Sequence, residues 1–175
     1  MSLDCETPMG QLFIEEQKRV EKMISNCGYT VVSTSCNDHR SDIILSKEVE
    51  GRLTICGVGE IKARISAGGE PLTVDYLRKN GGYLITSEKL KYGAMMSSML
   101  SAPFFVIVSV IADQTILIWK ITDKLGDYTE KFVTRETKTR KTVNGGEAVR
   151  TNAFLSMDSP NLTIIDERNF GRNTV

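Results

Sequence analysis

The chain has 175 residues, of which 41% are hydrophobic, and its 22 basic residues balance its 22 acidic residues. This length and composition predict a single domain over residues 1–175, and the zero net charge gives no indication of a nucleic acid partner. The four cysteines include no CxxC pair, which argues against a zinc site and indicates an intracellular, cytoplasmic protein. The longest apolar stretch, at residues 103–112, is too short to cross a bilayer, so we expect no membrane partner.

The first predicted elements are one helix and three strands. Thr7 and Pro8 are typical of a helix start, and Gly28 is typical of a helix end. β-branched and apolar residues after Gly28 then predict strands, with a tight turn before the third of them. In chain order we expect a helix at residues 9–27 and strands at residues 29–35, 42–47 and 52–65.

The second half of the chain is predicted to alternate helices and strands before a polar region. Helices are expected at residues 73–80 and 87–101, and strands at residues 83–86, 104–111 and 115–121. Residues 128–150 are polar and rich in charge, with Asn144-Gly145-Gly146 as a turn sequence. We therefore expect a protruding hairpin or a mobile loop in this region.

The most informative residues lie at the ends of two neighbouring predicted strands. Glu60 and Lys62 share one face of the third strand because side chains alternate along a strand, and Ile61 lies on the other face. Asp42 opens the second strand. A central strand that ends in opposite charges needs an explanation, since buried charges are costly unless they are paired or bind a metal.

An acidic residue also lies on the predicted buried face of the first helix. Glu16 falls within the apolar stripe that contains Phe13 and Val20, and Gln17 lies at the edge of that stripe. The residues leave two interpretations open. Either Glu16 pairs with an arginine or reaches the rim of the helix, or it contributes to a functional site.

A helix with an inward Glu, a short strand, an Asp at the start of the next strand and Glu-x-Lys on the third resemble the PD-(D/E)xK nuclease superfamily. The resemblance covers about residues 8–110 and rests on Asp42 and Glu60-Ile61-Lys62, with Ser41-Asp42 in place of the Pro-Asp of the family name. It implies an α/β fold with a restriction-endonuclease-like core, in which helices flank a central mixed β-sheet. The implied order of this core is αβββαβ, followed by a C-terminal β extension.

The resemblance also implies a role for each residue of the motif. Asp42, Glu60 and the backbone carbonyl of Ile61 would hold Mg²⁺, for which Mn²⁺ would substitute. Lys62 would face the attacking water or the scissile phosphate. Hydrolysis of a phosphodiester needs such a group because negative charge grows on the phosphate as water attacks.

Three positions stay open within this resemblance. Glu16 would be the catalytic helix acid that many members add, but in resolvase-like members the distance to the helix end favours Gln17. Lys89 either points at the metal site or belongs to a solvated helix face. The basic residues of segment 131–150 either follow the phosphates of a nucleic acid or belong to an ordinary charged hairpin.

The resemblance predicts a metal-dependent endonuclease that hydrolyses DNA phosphodiester bonds through a metal-activated water. The size of the chain, without a separate recognition domain, suggests a resolvase-like or phage-type enzyme that acts on duplex or branched DNA. A homodimer would be the simplest way to cut two strands. Two alternatives remain open: a nuclease-fold binding or assembly protein without catalysis, and an RNA-directed nuclease on the same core.

Overall fold

The computed structural model describes residues 7–34, 41–67, 70–139 and 148–169, which form three α-helices and eleven β-strands. The helices are α1 (Pro8–Asn26), α2 (Val74–Lys79) and α3 (Ser87–Leu100). The strands are β1 (Thr30–Ser33), β2 (Ile43–Val49), β3 (Arg52–Arg64), β4 (Ser66–Ala67), β5 (Glu70–Pro71), β6 (Tyr83–Thr86), β7 (Phe104–Val110), β8 (Thr115–Lys120), β9 (Phe132–Thr139), β10 (Ala148–Leu155) and β11 (Leu162–Asp166). Two short 3-10 helices cover Ile111–Asp113 and Glu167–Asn169, and none of the helices in the described ranges is both long and apolar enough to cross a membrane.

The first helix begins and ends at the predicted signals. The Thr7 hydroxyl accepts a hydrogen bond from the Gly10 N–H at 3.1 Å and so caps α1, and Pro8 occupies the first turn. Gly28 has a φ of +85°, which lets the chain change direction after the helix. The prediction of the first helix is confirmed.

A six-stranded mixed sheet forms the centre of the molecule, in the order β1-β2-β3-β7-β8-β11. β3 and β7 are parallel, and every other neighbouring pair is antiparallel. The chain between β3 and β7 contains α2, β6 and α3, because parallel neighbours need a long crossover connection. The predicted α/β fold, with a central mixed sheet flanked by helices, is confirmed at this level.

Each face of the central sheet has its own apolar core. The core beneath α1 consists of Val20, Ile24, Ile43, Leu45, Ile61, Ile107 and Ile116. The larger core on the other face includes Trp119 and side chains from α2, α3 and a second sheet. Because Glu60 and Lys62 alternate with Ile61 along β3, they point to the α3 face and away from α1.

The second sheet has three antiparallel strands in the order β6-β10-β9. Its inner face contributes Tyr83, Ile85, Ala153 and Leu155 to the larger core. β9 and β10 pair with each other and include residues 132–139 and 148–150 of the polar region, while the predicted turn at residues 144–146 lies outside the described residues. β9, β10 and β11 lie after residues 8–110, the part of the chain that the resemblance covers.

Candidate active site

Asp42 lies at the point where the main-chain pairing between β2 and β3 ends. The last aligned pair is Ile43 with Gly59, and the Asp42 N–H donates to the Gly59 carbonyl at 2.9 Å. Beyond this pair the Asp42 side chain takes the place of the partner strand, because its Oδ2 accepts the Ile61 N–H at 2.8 Å. Gly59 permits the close approach of β2 to β3 at this pair, since a Cβ on residue 59 would lie 2.8 Å from Cγ1 of Ile43. The Asp42 carboxylate is therefore held directly beside β3.

Lys62 joins the two carboxylates of the motif. Its Nζ lies 2.5 Å from Oε1 of Glu60 and 3.3 Å from Oδ2 of Asp42. The side chain of Glu60 is 1% exposed, that of Asp42 is 14% exposed and that of Lys62 is 25% exposed. The structure thus brings these three predicted residues into one cluster that is largely buried.

A second ammonium group reaches Glu60 from α3. Nζ of Lys89 lies 3.0 Å from Oε1 of Glu60 and donates to its Oε2 at 3.3 Å. Gly93 lies one turn further along the same side of α3, and a Cβ there would overlap the Phe104 ring at 2.2 Å. The glycine lets α3 pack tightly on β7, which places Lys89 over β3. Lys89 therefore belongs to the cluster and not to a solvated helix face.

The charges of the cluster determine the protonation of Lys62. Burial by itself lowers the pKa of this ammonium group, but the negative charges of Glu60 and then Asp42 outweigh burial, so the pKa of Lys62 is raised above 10.5. Lys62 is charged at neutral pH. It can therefore stabilise negative charge and donate hydrogen bonds.

Oε1 of Glu60 is held by both ammonium groups, at 2.5 Å from Lys62 and 3.0 Å from Lys89. The buried hydroxyl of Tyr83 makes no hydrogen bond within the described part of the chain, and it is close enough to Lys62 to contribute to its raised pKa. The hydroxyl of Ser87, at the start of α3, is also buried without a hydrogen bond among the described residues. An unsatisfied buried polar atom costs about 1–3 kcal/mol, which favours a ligand or ordered water at this position.

The oxygens of the cluster fit a hard divalent cation. Mg²⁺ typically takes one or two protein carboxylates and keeps several waters, and Asp42 and Glu60 supply two carboxylates. The Ile61 carbonyl is a third candidate ligand, because the N–H and C=O of one residue point to the same edge of a strand and the Ile61 N–H points to Asp42. No three His, Cys, Asp or Glu side chains of the described ranges form a larger metal-binding group.

The structure does not bring Glu16 to this cluster. Its Oε2 accepts hydrogen bonds from Nε and Nη2 of Arg19, at 3.0 and 2.8 Å, and from the Ser109 hydroxyl at 3.0 Å. Ser109 lies two residues after Ile107, which faces α1, so Glu16 and Glu60 lie on opposite faces of the sheet. Of the two interpretations of Glu16, the pairing with an arginine is the one observed, and its predicted place in the catalytic set is not supported.

The surroundings of Glu16 form a separate polar region. Arg19 also contacts Glu167 in the C-terminal 3-10 helix, and a cleft of about 400 Å³ lies between this helix and α1. Gln17, the alternative helix residue, donates to Oε1 of Glu21 at 3.0 Å. The structure therefore brings the predicted strand residues together and leaves Glu16 apart from them.

The arrangement combines two carboxylates that can hold a cation with two fixed positive charges, which is a combination suited to a phosphate ligand. The proximity of Tyr83 to Lys62 was not predicted, because β6 is short and pairs with β10, which is distant in the sequence. Lys89 has one sequence signal, the glycine four residues later on the same helix face.

Comparisons of the chain with protein-family models, with curated proteins and with solved structures give no significant match.

Proposed function

We propose that this protein is a metal-dependent endonuclease of the PD-(D/E)xK type that hydrolyses DNA phosphodiester bonds. The observation that carries the proposal is the contact of Lys62 with both Asp42 and Glu60. The chain order of α1, β1, β2, β3, α3 and β7 is consistent with the αβββαβ core of a restriction-endonuclease-like fold. Duplex or branched DNA is the proposed substrate, and a homodimer is the proposed assembly.

Each residue of the cluster has a part in the proposed reaction. Asp42, Glu60 and the Ile61 carbonyl would hold Mg²⁺ or Mn²⁺, which would activate a water and neutralise charge on the phosphate. Lys62 stays protonated and donates to the attacking water or to a phosphate oxygen, where negative charge develops. Lys89 balances the buried charge of Glu60 and so keeps the carboxylate in place. Glu16 is not part of the proposed site.

The test of catalysis is nicking of supercoiled plasmid in the presence of Mg²⁺ or Mn²⁺. We expect the wild type to nick the plasmid and Lys62→Ala to lose about 10²–10³-fold in rate, the size typical of removing one charge-stabilising donor. Lys91→Ala is the matched control, because Lys91 is an exposed lysine of α3. It removes the same charge and is expected to keep the wild-type rate.

Metal binding has a readout that does not depend on catalysis. We expect Mn²⁺ to raise the melting temperature of the wild type. At a hundredfold excess of Mn²⁺ over Kd, the free energy of unfolding should rise by about 2.7 kcal/mol. Asp42→Asn should abolish this shift, while Asp75→Asn, at a side chain that is 80% exposed, should retain it. A wild type that shows no shift and nicks no linear, supercoiled or four-way substrate would contradict the proposal.

A second candidate is a nuclease-fold binding or assembly protein without catalysis. It is favoured by the ammonium partners that both carboxylates already have, since such a network is neutral without a metal. In this case Lys62→Ala would lower the stability of the protein, and no nicking would be seen with any variant. Replacement of the plasmid by a structured RNA distinguishes the third candidate, an RNA-directed nuclease.

A further inference from the structure

The outer face of the three-stranded sheet has an unusual composition. Residues alternate along its strands, so the positions between the buried Tyr83, Ile85, Ala153 and Leu155 point away from the core. These outer positions are Leu84, Thr86, Val133, Arg135, Thr137, Arg150, Asn152 and Phe154. None of them is acidic, although acidic and basic residues are equal in number over the whole chain. The face is therefore locally basic.

The strand register arranges this face in rows. Phe154 is aligned with Leu84 on one side and Val133 on the other, and both aliphatic side chains are exposed, at 42% and 58%. The next row aligns Asn152 with Arg135. An apolar row with a central aromatic ring thus lies directly beside a row that carries a positive charge. A nucleotide has the matching arrangement, with a flat base next to a charged phosphate.

Arg135 is placed to contact such a ligand. Its guanidinium lies over the Phe154 ring at 5.4 Å from the centroid, and within the described ranges it has no acidic partner. An arginine is charged at every relevant pH, stacks on flat groups and binds phosphate oxygens. The stack of Phe154 and Arg135 can therefore be extended by a base, with the arginine charge beside the adjacent phosphate.

Asn152 adds an unsatisfied polar group to the same row. Its side chain is 2% exposed, and Nδ2 donates to Oγ1 of Thr137 at 2.5 Å and to the Arg150 carbonyl at 3.3 Å. Its Oδ1 is buried and accepts no hydrogen bond within the described part of the protein. A ligand donor would satisfy this oxygen once the side chains that cover it move aside.

The outer face and the candidate active site are linked through the chain. Thr86, which is aligned with Asn152 on the outer face, directly precedes α3, and Lys89 in the first turn of α3 contacts Glu60.

We propose that this sheet face binds unpaired nucleotides of the substrate. One base would stack on the Arg135 guanidinium, which lies over the Phe154 ring, and the phosphate of that nucleotide would lie beside the same guanidinium. The proposal rests on the proposed nuclease function for the identity of the partner, and it narrows the substrate to DNA that carries a single-stranded segment. Unpaired bases are required because a duplex hides the base faces that stack on a sheet.

The experiment is fluorescence anisotropy with a labelled oligothymidylate and with a blunt duplex, in EDTA and at several salt concentrations. We expect the single strand to bind more tightly than the duplex. Arg135→Ala should weaken single-strand binding by about tenfold and reduce the slope of log K against log salt by about 0.7. Arg135→Lys should keep the slope but lose affinity, because lysine retains the charge without the planar group.

Lys138→Ala is the matched control, since Lys138 lies on the same strand and on the opposite face, and it removes the same charge. Phe154→Leu should weaken binding by about tenfold with an unchanged salt slope, and melting temperatures verify that each variant is folded. Equal effects of Arg135→Ala and Lys138→Ala, equal binding of single strand and duplex, or no binding by the wild type would overturn the proposal. If no oligonucleotide binds, a protein partner becomes the alternative occupant of the outer face.

Binding in EDTA is independent of hydrolysis, so the two proposals fail separately. Plasmid nicking by a protein whose oligonucleotide binding is unaffected by Arg135→Ala overturns the binding face and supports the nuclease. Specific single-strand binding without nicking supports the binding face and contradicts the nuclease.

Discussion

Two clusters of charged residues lie on opposite faces of the same pair of strands, β3 and β7. On the α3 face, Lys62 and Lys89 both contact Oε1 of the buried Glu60. On the α1 face, Arg19 donates two hydrogen bonds to Glu16. The Glu16 side chain is 16% exposed, whereas that of Glu60 is 1% exposed. The two clusters contain similar residue types but differ in burial and in the geometry of their contacts.

The comparison distinguishes an ion pair that is complete by itself from one that has room for a ligand. The planar guanidinium of Arg19 matches a carboxylate with directed hydrogen bonds, which is typical of a structural contact. The ammonium groups of Lys62 and Lys89 lie 2.5 and 3.0 Å from Oε1 of Glu60 and neutralise it, without the paired and directed contacts that a guanidinium makes. A buried cluster of carboxylates and ammonium groups is typical of a binding site, because a ligand can replace an ammonium contact at a carboxylate.

The largest difference is expected when the cations are removed from each cluster. Replacement of both Lys62 and Lys89 by alanine leaves the Glu60 carboxylate buried without compensation, and the free energy of unfolding should fall by about 3–5 kcal/mol. Arg19→Ala, at an exposed ion pair, should cost about 1 kcal/mol or less. Urea denaturation of the wild type and both variants measures these values.

A divalent cation sharpens this first comparison. Mn²⁺ should return part of the lost stability to the double lysine variant, because a cation again lies beside Glu60. In Arg19→Ala it should produce only the shift seen in the wild type. Equal losses in the two variants, with no rescue by Mn²⁺, would show that the clusters do not differ as described.

An intermediate effect is expected from the packing of α3. Gly93→Ala adds a Cβ that overlaps the Phe104 ring, so α3 must move away from β7 at a cost of about 1–3 kcal/mol. Lys89 would move with the helix, and we expect a smaller stabilisation by Mn²⁺. Ser98→Ala, at an exposed position of the same helix, is the control. If Mn²⁺ stabilises Gly93→Ala as much as the wild type, the position of Lys89 does not affect metal binding.

The smallest effect is expected at alkaline pH. Because the pKa of Lys62 is raised above 10.5 in the folded protein, its stabilising contribution is present below that pH and is lost as pH rises through the folded pKa. The pKa of Arg19 is raised by its hydrogen bond to Glu16, so Arg19 stays charged over the same range. Above about pH 10.5 the wild type should lose stability more steeply than Lys62→Met. Arg19→Met should keep the wild-type slope, and parallel profiles for wild type and Lys62→Met would contradict the assignment.

Short-range signals in the sequence were sufficient for α1 and for the strands that carry the motif. Thr7 and Gly28 act within one turn of the helix end, and alternation along β3 places Glu60 and Lys62 on one face. The C-terminal strands were predicted less completely, since β10 continues to Leu155 and is followed by β11. These strands pair with β6 and β8, which are distant in the sequence, so no local pattern indicates where they begin and end.

The sequence by itself determined that Glu60 and Lys62 share one face of β3, because side chains alternate along a strand. Their meeting with Asp42 also depends on the register shift between Leu45 and Ser46 in the pairing of β2 with β3, which no sequence pattern indicated. Only the tertiary structure decided which helix lies over them. Glu16 faces the other side of the sheet, and Lys89 takes a place beside Glu60 that the motif did not require. The physical reason is that the packing of a helix on a sheet depends on the crossover connection and on close contacts such as Gly93 against Phe104, which no periodic pattern within the helix specifies.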